Sequence, residues 1–396
     1  MKKSVAIIGG GPAALLLAAF LDSNKFEVTI YEKNKSVARK FLVAGKGGFN
    51  LSHAENMQDF VSRYTPQEFL NSALLNFTNS DLRDYFSILG IPTFIGSSNR
   101  IYPEQGIKPI RVLKALLKEL DKKDIVIKYL EKWIAWNTDG GLIFESGTII
   151  KPNYTVFSMG AASWKKTGSE GDWLSLFTEK EIATKPFEVS NCAFGIEWSK
   201  VFVKKCEGSP LKNITISCAD KTQKGEAVIT NFGLEGNAIY GLSPEIRKQL
   251  NTSGSASVYV DLKPSLSIGK ILLKLKKSTA KNVSLKLKND LKLSAVQLDL
   301  LKSMVSKEVF LDLDELAKVV KNLKLIIHST APLDEGISCV GGIELREVTK
   351  LFELYKLQNH YCIGEMLDWD APTGGYLLQA CFSMGVSVAK ELNMKE

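Results

Sequence analysis

The chain has 396 residues, 45% of them apolar, and 51 Lys and Arg against 43 Asp and Glu give a formal charge of +8. Length and apolar content suit a globular protein of two domains, and no unbroken apolar run approaches the ~18 residues of a transmembrane helix. Six scattered cysteines without a C-x-x-C and three isolated histidines argue against a disulfide scaffold and a zinc site. A reduced cytoplasmic protein is the expectation.

The first elements carry the strongest signal. Val5 to Ile8 reads as a buried strand, Gly9-x-Gly11-x-x-Ala14 as a tight turn, 15 to 22 as an apolar helix, and a second strand ends at Tyr31-Glu32. Gly9 bends the turn, Gly11 and Pro12-Ala13 bring backbone against a diphosphate, and a small Ala14 lets helix and strand touch. Glu32, 21 residues after Gly11, ends a βαβ unit where a carboxylate accepts both ribose hydroxyls, with Lys33 beside it. Met1-Lys2-Lys3 imitates a secretory leader, but the glycines interrupt the apolar run and a folded βαβ pattern follows in place of a cleavage site.

Arg39-Lys40 then leads into Gly45-Lys46-Gly47-Gly48-Phe49-Asn50, three glycines in four residues, which suits backbone pressed against something flat or charged. Residues 66 to 90 read as helical, Arg100 to Pro103 as an extended turn, 108 to 121 as an amphipathic helix, and 125 to 136 and 142 to 150 as β runs. Tyr154 to Phe157 is a buried strand opening into a small-residue turn at Gly160. From 187 the texture shifts to short strands (192 to 198, 212 to 218, 226 to 230, 256 to 262) and then to lysine-rich helices. Glycine-rich strand and turn chemistry returns near 336 and ends with Gly364-Glu365 and Thr373-Gly374-Gly375-Tyr376 before a final helix from 377 to 392. The division is therefore 1–186, an inserted 187–335, and a return segment 336–396. A doubly wound α/β sheet built from both ends of the chain carries a β-rich and helical insertion.

Leu262 to Lys324 holds 14 lysines, no arginine and six acids, so this stretch carries the whole net charge. Leucines at helical spacing make these lysines the solvated faces of amphipathic helices, and the stretch lacks the arginines and interleaved aromatics that base stacking would use, so a nucleic-acid partner is not the expectation.

The motifs Gly9 to Ala14, Ala44 to His53 and Gly364 to Ala380 together resemble the bacterial BaiN-like, or aminoacetone-oxidase-like, FAD-binding flavoprotein family. Weaker agreement lies at Gly96 to Pro103, Gly233 to Tyr240 and Val340 to Ile343, with Asn237 standing where a glycine is common. The resemblance runs nearly end to end. It implies a Rossmann-like FAD-binding domain under an inserted domain, with adenosine ribose on Glu32 and diphosphate on Gly11 to Ala14. Ribityl chain and ring would lie near Arg39, Lys40, Gly45 to Asn50, Glu365 and Thr373 to Tyr376. No histidine or cysteine stands at a flavin-methyl position, so FAD would be non-covalent.

The implied activity is two-electron oxidoreductase chemistry on a small organic substrate. It would be either oxidation of an amine or amino-ketone with O₂, or NAD(P)H-dependent C=C reduction with the nicotinamide bound transiently, since no second G-x-G-x-x-G appears. A tRNA-modifying flavoprotein and a flavin-binding protein without turnover are the alternatives. His53 draws attention as an acid/base candidate, and Arg100 and Tyr102 as holders of a substrate carboxylate or carbonyl, but a helix-capping or solvent-facing role accounts for His53 and a structural loop contact for the other two, and no catalytic residue is assigned.

Overall fold

The computed structural model describes residues 1–43 and 49–395. Two compact units emerge, one of Met1–Glu188 with Ser338–Glu396 and one of Val189–Ile337.

In the first unit, β1 (Lys3–Ile8) is the centre of a five-stranded parallel sheet. Its neighbours are β2 (Phe26–Glu32) on one side and Tyr154–Phe157 on the other, with Val126–Tyr129 and His360–Cys362 at the edges. Ile8 pairs with both Tyr31 and Phe157, so three strands end at one level. From β1 the chain steps first to one side and later to the other, so β1 is a topological switch point, where a crevice opens beyond the carboxyl ends of parallel strands.

Helix α1 (Pro12–Phe20) starts earlier than its apolar run, because Pro12 has the pre-set φ of a first helical residue. Ala13 to Ala19 are all buried, as in a helix covered on every side. It packs on the C-terminal helix Tyr376–Lys395 so closely that a Cβ at Gly385 would lie 2.3 Å from the Ala13 carbonyl. The sheet and both helices share one core with Ile7, Leu16, Phe157, Tyr361 and Phe382.

Several local expectations are corrected. The 66 to 90 region is two helices, Asn71–Asn76 and Asn79–Ile88, because Thr78 and Asp81 form a capping box that starts the second afresh. Arg100–Pro103 is a strand held between Ser52–His53 and Thr93–Ile95, not a turn. The 125 to 136 run breaks into Val126–Tyr129, which joins the parallel sheet, and Trp133–Trp136, which pairs antiparallel with Leu142–Phe144.

The second unit is a seven-stranded sheet whose antiparallel centre is Ala256–Asp261, Pro210–Cys218 and Lys221–Ile229. The run at 226 to 230 is the buried end of that last strand; its polar first half, Lys221 to Glu226, disguised it. The lysine-rich helices Ile268–Lys277, Val283–Asn289, Ala295–Met304 and Leu313–Lys321 bury Ile271, Leu275, Leu287, Leu300 and Leu316 in this unit's own core.

Candidate functional site

One cleft occupies the switch point. Gly9, Gly11, Pro12, Ala13, Glu32, Lys33, Arg39, Lys40, Gly160, Gly364 and Glu365 all line it. They come from the ends of four parallel strands and the start of α1, which explains how segments over 350 residues apart meet. Ala14 lies under the turn, fully buried against the core. Gly45, Lys46, Gly47 and Gly48 fall outside the described residues.

The turn is built by backbone. Gly9 donates to the Tyr31 carbonyl at 2.8 Å, and Ser158 donates its N–H to Ile8 at 2.8 Å and its hydroxyl to the Gly9 carbonyl at 2.8 Å. At Gly11 φ is −80°, and a Cβ there would find only the Ser158 carbonyl, at 3.8 Å. No atom of the described residues therefore demands glycine at this position. The free first-turn N–H groups of α1 lie beside that space, and an anion answers both observations.

Glu32 is buried, its Oε2 accepting from the Gly10 N–H at 2.9 Å and its Oε1 from the Asn34 N–H and amide at 2.8 and 2.7 Å. Acceptor capacity remains at Oε2, and engaging a second hydroxyl at Oε1 requires the Asn34 amide to turn away. Arg39 donates to Asn34 Oδ1 at 2.6 Å and to the Lys166 carbonyl at 3.1 Å. Lys33 pairs with Glu170 at 2.9 Å and Lys132 with Asp172 at 2.6 Å, closing the same end of the cleft. Burial raises the Asp172 carboxyl, but Lys132 and Lys33 outweigh it and the net shift is downward.

At the other end Lys40 Nζ reaches Glu365 at 3.0 and 3.3 Å and the Ser163 hydroxyl at 2.8 Å. Burial works against the Lys40 charge, the Glu365 carboxylate prevails, and the net shift is upward.

Asn50 and residues 373–376 are not among the cleft's walls. Asn50 Nδ2 is buried without a hydrogen-bond partner among the described residues, a donor with unspent capacity. Gly375 lets the start of the C-terminal helix ride directly over the Ser52 backbone, where a Cβ would lie 2.5 Å away. Tyr376 donates its hydroxyl to Glu55 at 2.6 Å, Arg63 clamps that carboxylate at 2.8 and 3.2 Å, and the His53 ring stacks on Tyr376 with centroids 5.2 Å apart. The Arg100 side chain flanks Gly374. Tyr102 instead stacks on Phe94 at 5.6 Å and covers Gly96, a structural contact.

His53 neither caps a helix nor faces solvent: it lies half-buried in a short strand, its Nδ1 accepting from the Glu55 N–H at 3.3 Å. Burial lowers its pKa, and lowers that of His360 too. The unfolded chain therefore takes up protons below about pH 6.5 that the native state resists, so stability should fall on acidification through that range. Thermal melts between pH 7 and pH 5 test this, and a His360→Gln variant should lose part of the drop; an unchanged slope would remove His360 from the account.

Residues missed from sequence include Asn34, Lys132, Trp133, Ser158 and the segment from Thr167 to Trp173. The last of these had one readable signal, Gly168 and Gly171 flanking Glu170 with Asp172 just after.

A parallel sheet with a glycine turn at its switch point, an acid closing the second strand and a cleft between them defines a Rossmann-type dinucleotide-binding domain. The chain belongs to the family described as HI0933-like protein Rossmann domain, whose model matches residues 3–391. It is 23% identical to a ribosomal RNA dihydrouridine synthase of Haemophilus influenzae, over 98% of this chain and 98% of that protein. It is also 23% identical to a 3-dehydro-bile acid delta(4,6)-reductase of Clostridium scindens, over 96% and 97% respectively. Among solved structures, the open conformation of a flavocytochrome c3 fumarate reductase shares the fold, with a TM-score of 0.51 and 11% identity over 99% of this chain and 78% of that one. The open position at Gly11 and the residual acceptor at Glu32, both in the cleft wall, fit FAD.

Proposed function

We propose that this protein reduces a carbon–carbon double bond conjugated with a carbonyl, taking its electrons from NADPH or NADH. The observation that carries this reading is the pair of full-length relatives. Their names describe acceptors as different as a pyrimidine and a steroid acid, and the chemistry common to both is saturation of a double bond beside a carbonyl. Amine or amino-ketone oxidation finds no comparable support.

Bound FAD would supply the hydride. The chain's part is to hold and tune. Gly11, Pro12 and Ala13 present backbone N–H groups and the positive end of α1 to the diphosphate, and Glu32 takes the ribose. Lys40 and Glu365 flank the ribityl chain. The start of the C-terminal helix, fixed by Tyr376 on Glu55 and by Gly375 on Ser52, directs its free N–H groups at negative charge that develops during reduction. Tyr376 keeps its proton, because burial and the neighbouring Glu55 carboxylate raise its pKa. It therefore acts as a neutral anchor.

The test is an anaerobic titration of the yellow protein with NADPH and NADH. Bleaching of the visible flavin band is expected, followed by recovery of colour on adding a 3-keto-4-ene steroid or a uridine-containing RNA. A band that persists with both nicotinamides while an amine or amino-ketone bleaches it would replace this reading with an oxidase.

A further inference from the structure

The lysine excess is narrower than the composition suggests. From Lys270 to Lys292 there are eight lysines and one acid, a net +7 in 23 residues, whereas Leu293 to Lys324 holds five lysines and five acids. Solvated helix faces ordinarily mix both signs, as the second segment does. The first segment does not.

Several ammonium groups here bond to backbone carbonyls instead of carboxylates. Lys274 Nζ reaches the Asp290 carbonyl at 3.5 Å, Lys286 Nζ the Leu275 carbonyl at 3.2 Å, and Lys263 Nζ the Lys292 carbonyl at 2.8 Å. These bonds tie the ends of helices Ile268–Lys277 and Val283–Asn289 together. Asp290, the lone acid, accepts from the Ser278 hydroxyl at 2.5 Å. Lys276 pairs with Asp314 at 2.9 Å. Lys270, Lys277, Lys281, Lys288 and Lys292 are exposed and form no ion pair among the described residues. A run of exposed cations without matching carboxylates makes a positive field that attracts a polyanion.

We propose that the face formed by these two helices docks the phosphate backbone of a folded RNA. Lysine without arginine suits this role, since flexible point charges follow phosphates without reading base edges. Ile271, Leu275 and Leu287 are spent in the unit's core while Ile268, Leu273 and Leu285 stay exposed, and no aromatic side chain stands among the lysines to anchor in a lipid interface, so the absent aromatic anchor favours RNA over a membrane. Docking needs no turnover, so this inference stands or falls apart from the reductase reading.

The experiment is fluorescence anisotropy of a labelled RNA hairpin with the full-length, FAD-loaded protein across a salt series. Contacts to about five phosphates give a slope of log K against log[KCl] near about −4, or roughly a hundredfold weakening between about 50 and 200 mM. Lys270→Gln, Lys277→Gln, Lys281→Gln and Lys288→Gln combined should remove about three units of slope, while the same change at Lys302, Lys307, Lys318 and Lys324 leaves it nearly intact. All eight are surface positions, and an unchanged melting curve verifies the fold. Equal effects from the two sets, a slope shallower than about −1, or binding to phosphatidylglycerol vesicles with the hairpin left free would overturn the proposal. Hairpin binding without reduction of its uridines would leave docking intact and count against RNA as the acceptor.

Discussion

A Gly11→Val variant should purify folded and colourless, whereas Gly9→Val should not accumulate as a stable protein. The two glycines stand two residues apart, yet the structure asks different things of them. Gly9 has φ +97°, and a Cβ there would lie 2.7 Å from the Ser158 carbonyl and 3.0 Å from Met159 Cα, both backbone atoms. Forcing a side chain into that region costs about 1–3 kcal/mol in backbone strain and about as much again in overlap. Together these approach the few kcal/mol by which a domain is stable. Gly11 has ordinary extended geometry and open space beside it. A valine there gains from a stiffer unfolded chain about what it loses as a poor helix cap, within roughly 1 kcal/mol. What it would displace, on the proposed reading, is the diphosphate. Losing two charge-assisted hydrogen bonds of about 1.5–3 kcal/mol each weakens FAD by a factor of about a hundred to ten thousand. The measurement is the flavin-to-protein absorbance ratio of purified Gly11→Val alongside its thermal melt. A folded variant with the wild-type ratio would take the diphosphate away from this turn.

The βαβ grip was legible because its demands are local: Gly9, Gly11, Ala14 and Glu32 lie within one supersecondary unit, and each residue type meets a separate steric or polar requirement. The parallel sheet was legible for the same reason, since continuous apolar runs such as Tyr154 to Phe157 are what strands buried on both faces require. Other parts of the site are non-local. Glu55 and Arg63 carry no motif, and their meaning comes from Tyr376, 321 residues from Glu55. Trp133 and Asp172 reach the cleft through a small antiparallel sheet and an irregular segment whose composition resembles any loop. His53 was misjudged because exposure is a tertiary property, and the aromatic floor that buries it comes from the far end of the chain. The lysines show the reverse limit: helical spacing accounted for their exposure, and only the ion-pair geometry showed which of them lack a carboxylate partner among the described residues.

Removing either member of the Lys40–Glu365 pair should cost more stability than removing both. The ammonium reaches both carboxylate oxygens and the Ser163 hydroxyl, with side chains 28% and 16% exposed. Cys339 and Cys381 stand beside it, but burial raises both thiol pKa values and keeps them neutral, so neither can replace the carboxylate. Glu365→Ala thus strands a cation in a mostly enclosed cleft. Breaking a fully buried pair costs about 3–5 kcal/mol, and the remaining exposure reduces this to about 2–3. Lys40→Met with Glu365→Leu removes both charges and keeps the volume, so denaturant unfolding should find the double variant within about 1 kcal/mol of the parent. With Lys40→Met and Glu365→Leu also made singly, the coupling energy of the mutant cycle should exceed about 3 kcal/mol, because each single change costs more than the pair. Because the Lys40 pKa is raised, its contribution is fully present below its ordinary value of 10.5 and is lost as pH rises through the shifted one. The double variant also separates structure from function. If the pair flanks the ribityl chain, a stable double variant must release FAD more readily than the parent on dilution; a stable variant that keeps its full colour would make the pair a structural tie between the first and last segments of the sheet domain.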